Sequence, residues 1–169
     1  NARSIDKLQA LKTELETAYG IDVELLPFDV RDRKAAEAAL KSLPEKYQTI
    51  DVLVNNAGLA LGVDKEYEGT EENYDTMIET NITALLMMTR LVVPGMVKRG
   101  KGHVINIGSV AGDAAYPGGS VYCATKAAVK VLSDGLRMDL VDTPLRVTNV
   151  KPGLVETNFS VTRFAGDKE

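Results

Sequence analysis

Short apolar runs alternate with amphipathic helical patterns along this chain, and that alternation constrains the fold more than any other feature. Residues 23–28, 50–54, 103–107 and 145–150 are β-branched or apolar runs of strand length. Residues 4–18 place Ile5, Leu8, Leu11, Leu15 and Ala18 at spacings of three and four, one face of a helix that Ser4 is placed to cap and Gly20 to end. Residues 32–43 form an alanine-rich helical pattern closed by Pro44, residues 71–99 a long one broken only by Pro94, and residues 121–141 a further one. Strands separated by helices return to one sheet and run parallel. Continuous apolar runs such as Val52-Leu53-Val54 fit strands covered on both faces. The expected fold class is α/β, a doubly wound parallel sheet, and 169 residues fit one domain over residues 1–169.

In such sheets ligands lie outside the carboxyl ends of the strands. Those ends are Asp29, Asn55–Gly58, Gly108-Ser109 and Pro152-Gly153, each polar, glycine-rich or both. Loops are polar in any protein, so one such end means little. Four along one edge predict a cleft.

Composition narrows the chemistry. With 44% hydrophobic and 26% charged residues, the chain has a globular rather than a disordered composition. Acidic side chains outnumber basic ones 24 to 20, which argues against a nucleic-acid partner. A single cysteine and a single histidine exclude an internal disulfide and a zinc cluster. No apolar run approaches the ~20 residues that cross a bilayer, and no signal peptide opens the chain. The expectation is a cytoplasmic protein with no membrane partner and no metal.

Three motifs are set aside. The run Gly95–Gly102 approaches phosphate-loop spacing, but it follows a helix, precedes a strand and lacks the Ser or Thr that binds magnesium. It reads as a helix-terminating turn. Asn81-Ile82-Thr83 and Asn158-Phe159-Ser160 match the glycosylation sequon, which arises often by chance. His103 reads as a structural histidine and Cys123 as a packed thiol.

Tyr122 and Lys126 are four residues apart at the start of a helical pattern, on one face and one turn apart. A free tyrosine titrates near ~10, and moving it toward ~7 takes about 4 kcal/mol. An ammonium at roughly 4 Å supplies about that much at an effective dielectric of ~20. Such a pair makes a phenol into a general acid/base. Ser109, thirteen residues upstream in a glycine-flanked loop, is either a turn residue or a hydroxyl that holds a substrate oxygen beside Tyr122. Asn81 sits inside a helical pattern that asparagine disfavours. It is either an exposed polar position or a local break whose freed carbonyl holds a water.

These residues, in this order, resemble the short-chain dehydrogenases/reductases, a Rossmann-fold family of nicotinamide-dependent oxidoreductases. Asp29-Val30, Asn55-Asn56-Ala57-Gly58, Asn81, Ile107-Gly108-Ser109, Tyr122-x-x-x-Lys126 and Pro152-Gly153-Leu154-Val155-Glu156-Thr157 follow the family's order and approximate spacing. The resemblance implies that Tyr122 is the acid/base and that Lys126 lowers its pKa and binds the nicotinamide ribose. It further implies that Ser109 positions the substrate and that Asn81 anchors a relay water. Asp29 and Val30 would contact adenine, and Asn55, Ala57 and Gly58 would line the cofactor. Pro152, Gly153, Val155 and Thr157 would hold the nicotinamide end.

Family members that prefer NAD carry an acidic residue at the end of the second strand. That place is Ala2 here, followed by Arg3 and Ser4, a pair suited to a 2′-phosphate. NADP is therefore the expected cofactor, unless Arg3 is only a solvated charge. Leu59–Gly62, Pro94-Gly95-Met96 and the stretch from Arg163 to Asp167 resemble a subgroup that oxidises 3-hydroxy acids, including serine and allo-threonine. Arg163 is then either a partner for the substrate carboxylate or a loop charge. The competing functions are the same fold acting on a sugar, steroid or acyl-thioester ketone, and a dinucleotide-binding module without turnover. The family also implies a homo-oligomer, usually a tetramer.

The resemblance changes what the length means. A nicotinamide-binding fold needs a glycine-rich turn after its first strand to cradle the pyrophosphate, and no such turn is present in the sequence. The expectation is the middle of a longer chain, truncated at both ends, with a naturally truncated relative as the alternative.

Overall fold

The computed structural model of the chain describes residues 1–155 together with Phe159 and Arg163. The chain forms two compact units, Asn1–Ile50 and Asp51–Glu169.

In the first unit, helix α1 spans Ile5–Tyr19 and ends at Gly20 in the left-handed conformation (φ 61°), which glycine adopts without a Cβ clash. Ser4 holds the cap position, yet its side chain makes no capping hydrogen bond. Helix α2 spans Arg33–Lys41, and there the cap is made: Asp32 accepts from the Ala35 amide. A short helix, α3 (Glu45–Gln48), follows Pro44 and has no apolar period that would have marked it in the sequence. The strand expected at residues 23–28 does not form. Among the described residues its ladder contact is a single parallel bridge between Pro27 and Ala2. Proline, lacking an N–H, cannot extend that ladder.

In the second unit, β1 (Val52–Asn55), β2 (His103–Ile107) and β3 (Arg146–Val150) form a parallel sheet in the order β1-β2-β3. The sheet thus has three strands where four apolar runs were expected. Leu53, Val104 and Val147 are buried, and they share one register across the sheet. Coverage of both faces is not seen on β1, where Val52 and Val54 are each 52% exposed. Among the described residues that strand pairs with β2 alone. Two residues on, the next row of the same face is polar: Asn55, Asn106 and Asn149. Asn55 donates to Asn106 Oδ1 at 2.9 Å, and Asn106 donates to Ser133 Oγ at 2.9 Å, which ties the sheet to the helix behind it.

The long helical pattern at 71–99 is broken at a different place from the one expected. Helix α4 (Glu71–Ile78) passes through a π-helical turn, Glu79–Thr83, into α5 (Ala84–Arg99), which continues through Pro94. The buried Val92, Val93 and Met96 around that proline hold the helix by packing where a backbone bond is lost. By length and composition Glu71–Arg99 is long and apolar enough to cross a bilayer, against the expectation from the sequence. Here it packs on β1 and on α6 (Ser120–Asp139), and it carries the buried Thr80 and Asn81 in its middle. Gly100 (φ 66°) ends α5, so the run resembling a phosphate loop is a helix-terminating turn.

Candidate active site

Helix α6 delivers Tyr122 and Lys126 from its first turns to the carboxyl end of β2. Lys126 is only 5% exposed, and its Nζ donates to the Ile107 carbonyl at 2.8 Å. Taking an ammonium out of water favours its neutral form, and burial pushes Lys126 down to about 8. Its Nζ lies 5.9 Å from the centre of the Tyr122 ring.

Tyr122 is itself buried, with Phe159 tilted against its ring at 5.7 Å between centroids. Burial raises its hydroxyl above the ordinary tyrosine value, and a side-chain hydrogen bond with Ser109 opposes the rise. Burial penalises the ionised form of each group, and for the phenol desolvation is the largest influence.

Ser109 is a turn residue that also reaches the proposed acid/base. Its Oγ accepts from the Ala111 amide at 3.1 Å, capping the 3₁₀ turn Val110–Gly112, and its side chain also meets Tyr122. The loop is pinned from the neighbouring strand end: Val110 donates to Pro152 O at 3.1 Å, and Gly108 to Val150 O at 2.8 Å. Gly112 lies so close to α6 that a Cβ would sit 2.7 Å from the Lys126 carbonyl carbon and oxygen.

Asn81 lies in the π-helical turn and is 2% exposed, so it is no surface position and no glycan acceptor. The local break is present, as π-turns often are at functional sites. Asn81 Oδ1 accepts from Leu59 N at 2.9 Å; Nδ2 donates to Leu59 O at 2.8 Å and to Thr125 Oγ1 at 2.9 Å. Its amide thus fastens the loop after β1 to α6. Thr125, which also donates to Tyr122 O at 2.7 Å, was not singled out in the sequence, although it lies inside the Tyr-x-x-x-Lys interval.

The residues expected at a cofactor fall into both units. In the first, Arg3 Nη1 lies 3.9 Å from Asp29 Oδ2, and Arg31 binds the same carboxylate at 2.8 Å. Arg31 holds the Asp29 carboxyl below its ordinary range. Val30 is half-buried and Ser4 exposed. In the second, the Asn55 side chain is committed to Asn106 and to Thr89 Oγ1 (3.3 Å), which gives it a structural task at the strand end. Pro152 is half-buried, and Ala57, Gly153 and Val155 are exposed. Thr157 and Asn158 lie outside the described residues.

The site fits a nicotinamide cofactor on two observations. An ammonium has three N–H donors, and the Ile107 carbonyl takes one from Lys126, leaving donors suited to a ribose diol. Gly58 keeps the space above it open: a Cβ there would lie 3.2 Å from Lys126 Nζ and 3.3 Å from Asn81 Oδ1.

Arg163 is brought to the same place. It lines a cleft with Tyr122, Leu61, Met77 and Asp64. Its Nη1 donates to Tyr116 Oη at 2.8 Å, and its Nη2 to Gly118 O at 3.2 Å. His103 Nε2 is 2.8 Å from Thr148 Oγ1, away from these residues on the amino end of β2, and Cys123 is a buried free thiol.

The sequence model for the short chain dehydrogenase family matches residues 1–168. The chain is 52% identical over 168 residues to the NADP-dependent 3-hydroxy acid dehydrogenase YdfG of Salmonella typhi, covering 99% of this chain and 66% of that protein. It is 45% identical to the NADP-dependent 3-hydroxy acid dehydrogenase of Schizosaccharomyces pombe, covering 99% of this chain and 65% of that one. The chain thus spans slightly less than two thirds of the length of these relatives. Among solved structures it is similar to the closed form of serine dehydrogenase complexed with NADP+, with a TM-score of 0.91 and 49% identity, over 98% of this chain and 66% of that one. It is likewise similar to serine dehydrogenase from Escherichia coli (TM-score 0.84, 50% identity, 90% of this chain and 68% of that one).

Proposed function

This chain belongs to the short-chain dehydrogenase family, and from that premise we propose that it transfers a hydride between NADP and a small hydroxy acid, with Tyr122 as acid/base. The observation that carries the reading is the meeting of Ser109, Tyr122 and Lys126 at the carboxyl end of β2, in a cleft that also holds Arg163. The NADP- and hydroxy-acid-linked names of the relatives point the same way.

The chemistry NADP supplies when bound is uptake or release of the hydride; everything else falls to side chains. Ser109 holds the substrate oxygen beside the Tyr122 hydroxyl. In the oxidative direction Tyr122 Oη takes the proton of the substrate hydroxyl, and in the reductive direction it returns one to the carbonyl oxygen. Lys126 presents its remaining N–H donors toward the ribose and adds positive charge close to the phenolate. Asn81 holds α6 against the loop after β1 and keeps these groups in register. Gly58, Ala57 and Pro152 line the cofactor, with Asn55 stabilising the strand end, and Gly153, Val155 and Thr157 at the nicotinamide end. In the first unit Arg3 and Ser4 face the 2′-phosphate, with Asp29 and Val30 at the adenine.

Arg163 favours a hydroxy acid over a sugar, steroid or thioester ketone, because a fixed guanidinium pairs bidentately with a carboxylate. In this reading the protein is a single Rossmann-fold domain working in the cytoplasm as a homo-oligomer, a tetramer by analogy with the family. Exposed apolar side chains at Leu86 on α5 and at Val131 and Met138 on α6 support self-association through those helices.

The test is absorbance of the reduced cofactor with NADP+ or NAD+ and a panel of hydroxy acids, sugars and steroid alcohols. Turnover with NADP+ and a hydroxy acid supports the proposal. Thermal stabilisation by NADP+ without turnover of any alcohol would instead mark a binding module.

A further inference from the structure

Arg163 is held by more contacts than a loop charge needs. Its guanidinium carbon lies 5.2 Å from the centre of the Tyr116 ring, over which it stacks, while Nη1 donates to the hydroxyl of the same side chain at 2.8 Å. Nη2 donates to Gly118 O at 3.2 Å, and the Arg163 carbonyl accepts from Gly62 N at 3.2 Å. The turn Tyr116-Pro117-Gly118-Gly119 is shaped for this. Gly118 has φ +69°, and a Cβ on it would strike the Val63 carbonyl. A Cβ on Gly119 would strike the Tyr116 ring itself. Only glycines at both positions let Tyr116 fold back beneath the guanidinium.

The cleft makes such fixing necessary. Asp64 also lines it, with a carboxylate oxygen 3.1 Å from where a Cβ of Gly62 would be, so Asp64 and Arg163 gather round the same glycine. A mobile guanidinium would pair with that carboxylate and be lost to a substrate. Arg163 stands close enough to Tyr122 for its charge to bear on the Tyr122 hydroxyl. An anion held by Arg163 is therefore within a small molecule's reach of the proposed acid/base.

We infer that Tyr116 is a positioning residue that holds the Arg163 guanidinium, by stacking and by accepting its hydrogen bond, as the anchor that selects substrates bearing a carboxylate over otherwise equal neutral alcohols. The inference rests on the proposed hydroxy-acid reaction, for which it supplies the source of substrate preference. Tyr116→Phe keeps the stacked ring and removes the accepting oxygen; Tyr116→Ala removes both. A guanidinium freed from either contact loses the preorganisation that gives a fixed donor its affinity.

The experiment titrates the full-length protein and the two variants with 3-hydroxypropionate and with its methyl ester, binding being followed by NMR. The wild type binds the acid more tightly than the ester. That preference falls about fivefold in Tyr116→Phe, as expected for one hydrogen bond of ~1 kcal/mol, and further in Tyr116→Ala. A variant that only loosens the fold weakens both ligands together. An unchanged preference in Tyr116→Phe, or no preference in the wild type, overturns the inference, and Tyr116→Phe decides even where Tyr116→Ala does not fold. Because the readout is binding, absence of NADP-linked turnover would remove the proposed reaction separately and leave this comparison decisive.

Discussion

Lys126 Nζ donates to the carbonyl of Ile107 at 2.8 Å, and that one bond joins the helix bearing the proposed acid/base to the strand that leads into Ser109. Both halves of the proton-transfer site are thereby referenced to the last residue of β2. A buried ammonium is costly unless something uses it, and here burial holds it at about 8.

The pH dependence of stability follows from that value. The folded pKa lies below the model value of 10.5, so between about pH 8 and 10.5 the unfolded chain binds more protons and stability rises with pH. Below pH 8 the full penalty applies, roughly 3 kcal/mol from the shift. Lys126→Met removes it and loses the bond to Ile107, which offsets part of the gain. Measured without cofactor at pH 7, this variant is expected to unfold at a higher denaturant concentration than wild type while losing activity. An equal or lower midpoint contradicts the assignment.

Asn81→Leu strands the Leu59 amide and carbonyl, and it removes the donor to Thr125 Oγ1. Each unsatisfied buried group costs about 1–3 kcal/mol. Urea unfolding is expected to show a loss of at least ~2 kcal/mol; a loss below ~0.5 kcal/mol would place Asn81 outside the core.

Gly112→Ala forces a Cβ against the backbone of Lys126 and Ala127, with approaches of 2.7 and 2.9 Å. Overpacking of this kind costs about 1–3 kcal/mol. The shift moves the Ser109 turn off α6, so kcat is expected to fall while NADP binding persists. Retained kcat would show that the Ser109–Tyr122 geometry tolerates displacement.

Arg3 is 72% exposed in its side chain and meets Asp29 only at 3.9 Å, so its charge remains largely available to a phosphate. Arg3→Gln is expected to raise the KM for NADP about tenfold, the loss of one charge-assisted contact, with little change for NAD. Equal effects on both cofactors would remove Arg3 from phosphate recognition.

Helices and chemistry were legible in the sequence to different depths. The helical periods at 4–18, 32–43 and 121–141 and the strand at 103–107 were visible because side-chain pattern there agrees with packing. Residues 23–28 misled because a strand is made by its partner, and among the described residues the ladder there is a single bridge, Ala2 to Pro27. The π-turn was visible as an asparagine out of place, but its position relative to Pro94 depended on the amide contacts to Leu59 and Thr125, which no local pattern encodes. Tyr122, Lys126 and Ser109 stood out by spacing. Tyr116 did not, although its Pro-Gly-Gly neighbours marked a built turn.

The central claim is that Tyr122 exchanges the proton while NADP exchanges the hydride, and Tyr122→Phe tests it most directly. The substitution removes the hydroxyl and leaves the ring against Phe159. With NADP+ and a 3-hydroxy acid, followed by absorbance of the reduced cofactor, turnover should fall ~10²–10⁴-fold, the usual contribution of a positioned general acid/base. Turnover above about a hundredth of the wild-type rate would contradict the account.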